Sequence, residues 1–188
     1  MTRDEALRRL GDLVWERAFG WDVGSDRLIR AGLDALLAGV ECPSLARLAG
    51  LLRREEPEAP QLFDAVVDEL GLGVRLPSDP PAVRWALARW LARRIVDGSI
   101  DPDRGTRLIW SDAAFWLRYP EELEPFVRIA IKLADTDPDT DTDTDEAGTA
   151  AGGGPLEELR GQAVLAARRF LGEERSDGPC AGPPETVI

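Results

Sequence analysis

Few residue types in this 188-residue chain can do chemistry, and their absences narrow the function. There is no histidine, one lysine (Lys132) and two cysteines (Cys42 and Cys180). Ser-His-Asp and Cys-His relays need an imidazole to move the proton, so both are excluded. Histidine-containing zinc sites are excluded as well, and two cysteines cannot make a zinc site built from four thiolates. Lys132 is the single candidate for a phosphate-loop lysine or a Schiff-base lysine. Carboxylates and arginines are plentiful, so an enzyme built on this chain would have to work through them.

Four arrangements bring charged or aromatic residues together. Asp135, Asp137 and Asp139 fit the first three ligand positions of a calcium loop, and Glu146 fits the twelfth. The sixth position, which needs glycine for its sharp turn, is Thr140, and a Gly run follows where a rigid helix should stand. The pattern therefore reads as a solvated acidic linker. Residues 44–70 pair two helices loosely like a helix-turn-helix, but the second carries Asp64, Asp68 and Glu69 and no Lys or Arg. A groove-reading helix meets phosphates and needs cations, so two packed helices are expected instead.

The third arrangement is a stretch over 80–98 in which Arg84, Arg89, Arg93 and Arg94 alternate with Trp85 and Trp90. Arginine with aromatics can bind nucleic acid by stacking and phosphate contact. The same spacing also makes an ordinary helix surface, with Arg93 four residues before Asp97 and Trp85 four before Arg89. The fourth is Asp112, which falls within an apolar stripe of Gly105, Leu108, Ile109, Phe115 and Trp116. A carboxylate on an apolar face is either paired or functional. With no second acid on that face, a structural buried carboxylate bonded to an arginine or a helix N-terminus is expected. Trp21 lies at the bend between the first two helices and Trp110 off the main stripe of its helix, and with Arg84, Arg89 and Arg93 they are candidate partner contacts, since Trp and Arg are enriched at binding hot spots.

The elements that must position these residues all read as helices. Thr2 and Glu5 form a capping box, with Leu7, Leu10, Leu13 and Val14 at helical spacing behind it, and Phe19-Gly20-Trp21 closes the helix. Ser25 is expected to cap a second helix that buries Leu28, Ile29, Leu33, Leu36 and Leu37 and ends at Gly39. Pro43 opens a short third helix, Arg53 to Pro60 reads as a charged loop, and Gln61 to Leu70 as a fourth helix stopped by Gly71. Asp79 before Pro80-Pro81, and Asp101 before Pro102, are caps followed by proline in the first turn. Pro120 or Pro125 opens another helix and Pro155 a last one. No segment alternates with period two. The expectation is all-α: a single bundle of about seven or eight helices.

Charge and composition set the domain plan. Residues 1–133 carry 22 acidic and 19 basic side chains, whereas residues 134–188 carry 13 and 4. The net charge of −12 thus describes one segment more than the body. The expected plan is a helical bundle over 1–133, a disordered Asp-Thr/Gly-rich linker over 134–154, a final helix over 155–172 packed on the bundle, and a disordered tail over 173–188. The N-terminus lacks an apolar core of signal-peptide length, and no stretch approaches a membrane span. The two cysteines do not read as a disulfide framework, so a cytoplasmic chain with reduced thiols is expected.

The stretches LIRAGLDALLAGVECPSLARLAGL, ALARWLARRIVDGSIDPDRGTRLIW and YPEELEPFVRIA resemble small all-helical proteins of unassigned function from high-GC Gram-positive bacteria. The resemblance covers roughly residues 5–133 and the last helix. It implies a helical fold and lends no reaction and no site residue. From the residues themselves, the leading expectation is a non-enzymatic protein-binding module: an adaptor, a regulator or an immunity-type inhibitor. It would have a protein partner and no cofactor, metal, duplex DNA or membrane. A carboxylate/arginine enzyme is the alternative, and nucleic-acid binding through the helix over 80–98 is the second alternative.

Overall fold

The structure is a computed structural model and describes residues 1–135 and 154–172. Eight α-helices carry it: α1 (Arg3–Ala18), α2 (Ser25–Leu37), α3 (Pro43–Ala49), α4 (Ala59–Leu70), α5 (Pro80–Val96), α6 (Pro102–Leu108), α7 (Glu124–Asp135) and α8 (Pro155–Leu171). The described residues contain no strand. The all-α expectation holds. The body expected as one bundle over 1–133 divides into two units, Met1–Pro77 and Ser78 onward. Of the expected linker, residues 136–153 lie outside the described residues, as does the expected tail over 173–188. Ala134 and Asp135 belong to α7.

In the first unit, α1 starts where the Thr2 hydroxyl accepts from the Glu5 N–H at 3.3 Å and the Glu5 carboxylate accepts from the Thr2 N–H at 2.7 Å. Leu10, Leu28, Leu45, Leu48, Phe63 and Val66 form its core. A Cβ on Gly32 would lie 2.9 Å from Leu48 Cδ2, so glycine lets α2 approach α3. Arg17 crosses from α1 to α4: its guanidinium stands 5.5 Å from the Phe63 ring centroid and pairs with Asp64. Glu69, on α4, caps α3 from outside, accepting from the Ser44 N–H at 2.9 Å and the Ser44 hydroxyl at 2.7 Å.

Three expectations for this unit are corrected. Gly24, not Ser25, is the N-cap of α2, and no side chain caps it. Leu33, Leu36 and Leu37 are exposed, because Ala31, Gly32 and Ala35 form the contact face with Leu28. Arg53–Glu58 is a 3-10 turn rather than a loop, braced by Leu52 N–H donating to Glu55 at 3.1 Å, and α4 begins at Ala59.

In the second unit, α5 is the central helix, packed against α6, α8 and the segment after α6. Asp79 caps it by accepting from the Ala82 N–H at 3.1 Å. Leu87, Ala88, Trp90, Leu91, Ala92 and Ile95 are all buried, as an element apolar nearly all round requires. A Cβ on Gly105 would lie 2.6 Å from Ile95 Cγ1, so only glycine lets α6 sit this close to α5. Helix α8 is held by apolar contacts of Leu159, Ala163 and Ala167, by Phe170 stacked on Trp85 (centroids 6.2 Å), and by Arg160 paired with Asp103 at 3.1 Å.

Candidate functional site

The second unit departs from regular helix just after α6. Ile109–Ala114 is a π-helical turn, with an i→i+5 bond from the Phe115 N–H to the Trp110 carbonyl at 3.0 Å. Each π turn holds an extra residue, which rotates everything beyond it by about 100° relative to an α-helix. Ile109, Ala113 and Ala114 therefore face the core. Phe115 and Trp116 turn outward, which corrects the expected continuous stripe. The chain then reverses through Arg118 (φ 62°) and Tyr119 (φ 57°). Two successive non-glycine residues in the left-handed region are disfavoured by about 1–2 kcal/mol each.

The product of this backbone is an aromatic knuckle. Trp116, Phe115 and Tyr119 are 61%, 56% and 52% exposed, more than any other aromatic side chains among the described residues. Phe115 meets Trp116 edge-to-face at 5.8 Å and 90°, and Tyr119 at 6.3 Å and 86°. Arg84 reaches over from α5: its guanidinium lies 5.1 Å from the Trp116 ring centroid and donates to the Asp112 carbonyl at 3.1 Å. The rings are thus held in place while remaining in water.

The residues singled out from sequence fall in different places. Arg84 belongs to the knuckle. Arg89 and Arg93 are exposed on another side of α5. Arg93 makes no pair with Asp97, whose carboxylate accepts from the Ser99 N–H at 2.9 Å. Trp85 stacks on Phe170 rather than meeting Arg89, and Trp90 is buried with Arg94 over its ring at 4.9 Å. The exposed Arg-Trp row that nucleic-acid stacking needs is therefore not assembled on this helix. Asp112 is half-buried, not buried, and Arg84 bonds its carbonyl rather than its carboxylate, because the π turn brings the backbone there. Trp21 and Trp110 are half-buried.

Sequence reasoning missed Phe115, Trp116 and Tyr119. The signal was three aromatics within five residues ending at Tyr119-Pro120, since the residue before proline is pushed away from the helical region. A second feature is a groove of about 600 Å³ between α7 and α8. Among the described residues no three Cys, Asp or Glu side chains gather as metal ligands, and no helix is long and apolar enough to cross a membrane. The calcium-loop positions from Asp137 to Glu146 lie outside the described residues. No known family model, curated protein or solved structure matches the chain.

Proposed function

We propose that the chain is a non-enzymatic protein-binding module of the cytoplasm, an adaptor, regulator or immunity-type inhibitor, and that the aromatic knuckle is its contact surface. The observation that carries this reading is the cluster of Trp116, Phe115 and Tyr119, each more than half exposed and already ordered by one another and by Arg84. Exposed aromatics lose apolar hydration when covered, and rings ordered in advance lose little entropy on binding. Trp, Tyr and Arg are the residue types that dominate interface hot spots. A chain with no histidine is poorly equipped for acid–base chemistry. Arg84 is already engaged with Trp116, so the knuckle offers little to the phosphates of duplex DNA.

The test is a pull-down from cells that express the chain, with nuclease treatment, followed by reconstitution with the recovered protein. Wild-type chain should form a stoichiometric complex that survives nuclease. The Trp116→Ala, Tyr119→Ala double variant should weaken it at least tenfold, since hot-spot truncations cost about 2 kcal/mol or more each. The Trp21→Ala, Trp110→Ala variant compares the anchors expected from sequence. A complex that is indifferent to the knuckle variant, or that is lost with nuclease, would reject this reading.

A further inference from the structure

The end of α8 lies close to the knuckle. Phe170 stacks on Trp85, and the neighbouring Arg84 is the residue that clamps Trp116, so both contacts fall on the first two turns of α5. Phe170 also meets Phe126 edge-to-face at 5.8 Å. Phe126 is in the first turn of α7, and only Pro120 and the 3-10 turn Glu121–Leu123 separate Tyr119 from that helix. Helix α8 stops at Gly172, which takes φ 78°. Residues 173–188 follow from this point. They carry Pro179, the pair Pro183-Pro184, four acidic side chains and one arginine.

Proline suits a platform of exposed aromatic rings. Its ring is apolar and its φ is fixed, so a proline segment loses little backbone freedom when it lies against aromatic side chains, as polyproline II ligands do. Trp116, Phe115 and Tyr119 present such rings in one place, more than half exposed and held in position by Arg84. Pro183 is eleven residues beyond Gly172, a length of chain that reaches up to about 35 Å. Charge agrees as well: Arg118 is exposed directly before Tyr119, and Glu185 directly follows the proline pair. We propose that the Pro183-Pro184 segment of this same chain docks on the aromatic knuckle and competes there with the partner. The inference rests on the knuckle being a contact surface and adds an internal competitor to it. Attachment presents the prolines to the rings at an effective concentration of about 1 mM, so a contact with a Kd of about 0.1 mM keeps the knuckle covered by about ten to one.

The test uses the full chain and a fluorescent peptide of residues 178–188. In the full chain carrying Pro183→Ser and Pro184→Ser the knuckle is free, and the peptide should bind with a Kd of about 0.1 mM. Wild-type chain should bind it about tenfold more weakly, because its own prolines hold the rings. Trp116→Ala or Tyr119→Ala, each added to the proline variant, should weaken binding by about fivefold or more. Helical circular dichroism and the melting curve check that both stay folded, as side chains more than half exposed allow. In the pull-down, the proline variant should recover more partner than wild type. No binding to the proline variant, equal affinity for wild-type and proline-variant chains, or binding kept by both ring variants in folded form would overturn the proposal. An affinity gap that appears only at high chain concentration would assign the segment to a second copy and overturn it too. Equal partner recovery by the two chains, with the complex still lost in the Trp116→Ala, Tyr119→Ala variant, would overturn the competition and leave the knuckle as the partner's contact surface.

Discussion

Arg84 and Trp116 come from different elements and lie face to face, the guanidinium 5.1 Å from the centroid of the indole. The same guanidinium donates to the Asp112 carbonyl at 3.1 Å, so one side chain joins α5 to the π turn and to the ring beyond it. Trp116 is 61% exposed, yet it is not a loose surface ring.

Removing this clamp should loosen the knuckle. Arg84→Met keeps the aliphatic stem and removes the cation and the donor. Urea unfolding followed by circular dichroism should show a loss of about 1–2 kcal/mol, the sum of one half-exposed cation–π contact and one hydrogen bond. Collisional quenching of tryptophan fluorescence should increase as well. Unchanged stability and quenching would show that the contact contributes nothing.

Two helical glycines should respond oppositely. At Gly105 a Cβ would collide with Ile95 Cγ1 at 2.6 Å and Cδ1 at 2.8 Å, so Gly105→Ala should destabilise by about 1–3 kcal/mol through overpacking. At Gly161, in the middle of α8, a Cβ would meet nothing within 4 Å. Gly161→Ala should stabilise by about 0.5–1 kcal/mol, because alanine has less backbone freedom to lose. Paired thermal melts decide both.

Acid should weaken the first unit. The hydrogen bonds from Ser44 backbone and hydroxyl hold the Glu69 carboxyl below its ordinary 4.5, and those from Thr2 do the same for Glu5. A carboxyl depressed in the folded state contributes stability above its unfolded pKa and loses it as pH falls through the folded value. Melting temperature should therefore decline as pH drops below about 4.5. Glu69→Gln should lower stability at pH 7 and flatten that decline; an unaltered pH profile would contradict the assignment.

Cys42 should be a sluggish nucleophile. Burial, then the thiol's hydrogen bond to Glu69, raises its pKa from the ordinary 9.0. Because the thiolate is the reactive form, iodoacetamide labelling of Cys42 at about pH 8 should be slower than for a free thiol. Glu69→Gln should speed it. Peptide mass spectrometry distinguishes Cys42 from Cys180; a Cys42 rate equal to that of free cysteine would refute the claim.

The helix boundaries set by a capping side chain or a stop glycine were legible in the sequence because they are local. Thr2 with Glu5, Asp79 before two prolines and Asp101 before Pro102 satisfy backbone N–H groups within a few residues. Gly20, Gly39, Gly71 and Gly98 take the left-handed φ that ends helices or turns the chain after them. Tertiary structure decided which face of each element was covered. Leu33, Leu36 and Leu37 fit a buried stripe by period, yet the smaller face of Ala31, Gly32 and Ala35 allowed the closer approach to α3 and took the core. The same holds after α6. Periodicity carried the stripe straight from Ile109 through Asp112 to Trp116, but fitting Ala113 and Ala114 into the core required a π turn. That single added residue swung Phe115 and Trp116 into water, where Arg84, 32 positions earlier in the chain, holds the ring of Trp116. Helical period is a property of neighbours along the chain, whereas the inserted residue and the reach of Arg84 depend on packing between elements, which no local pattern encodes.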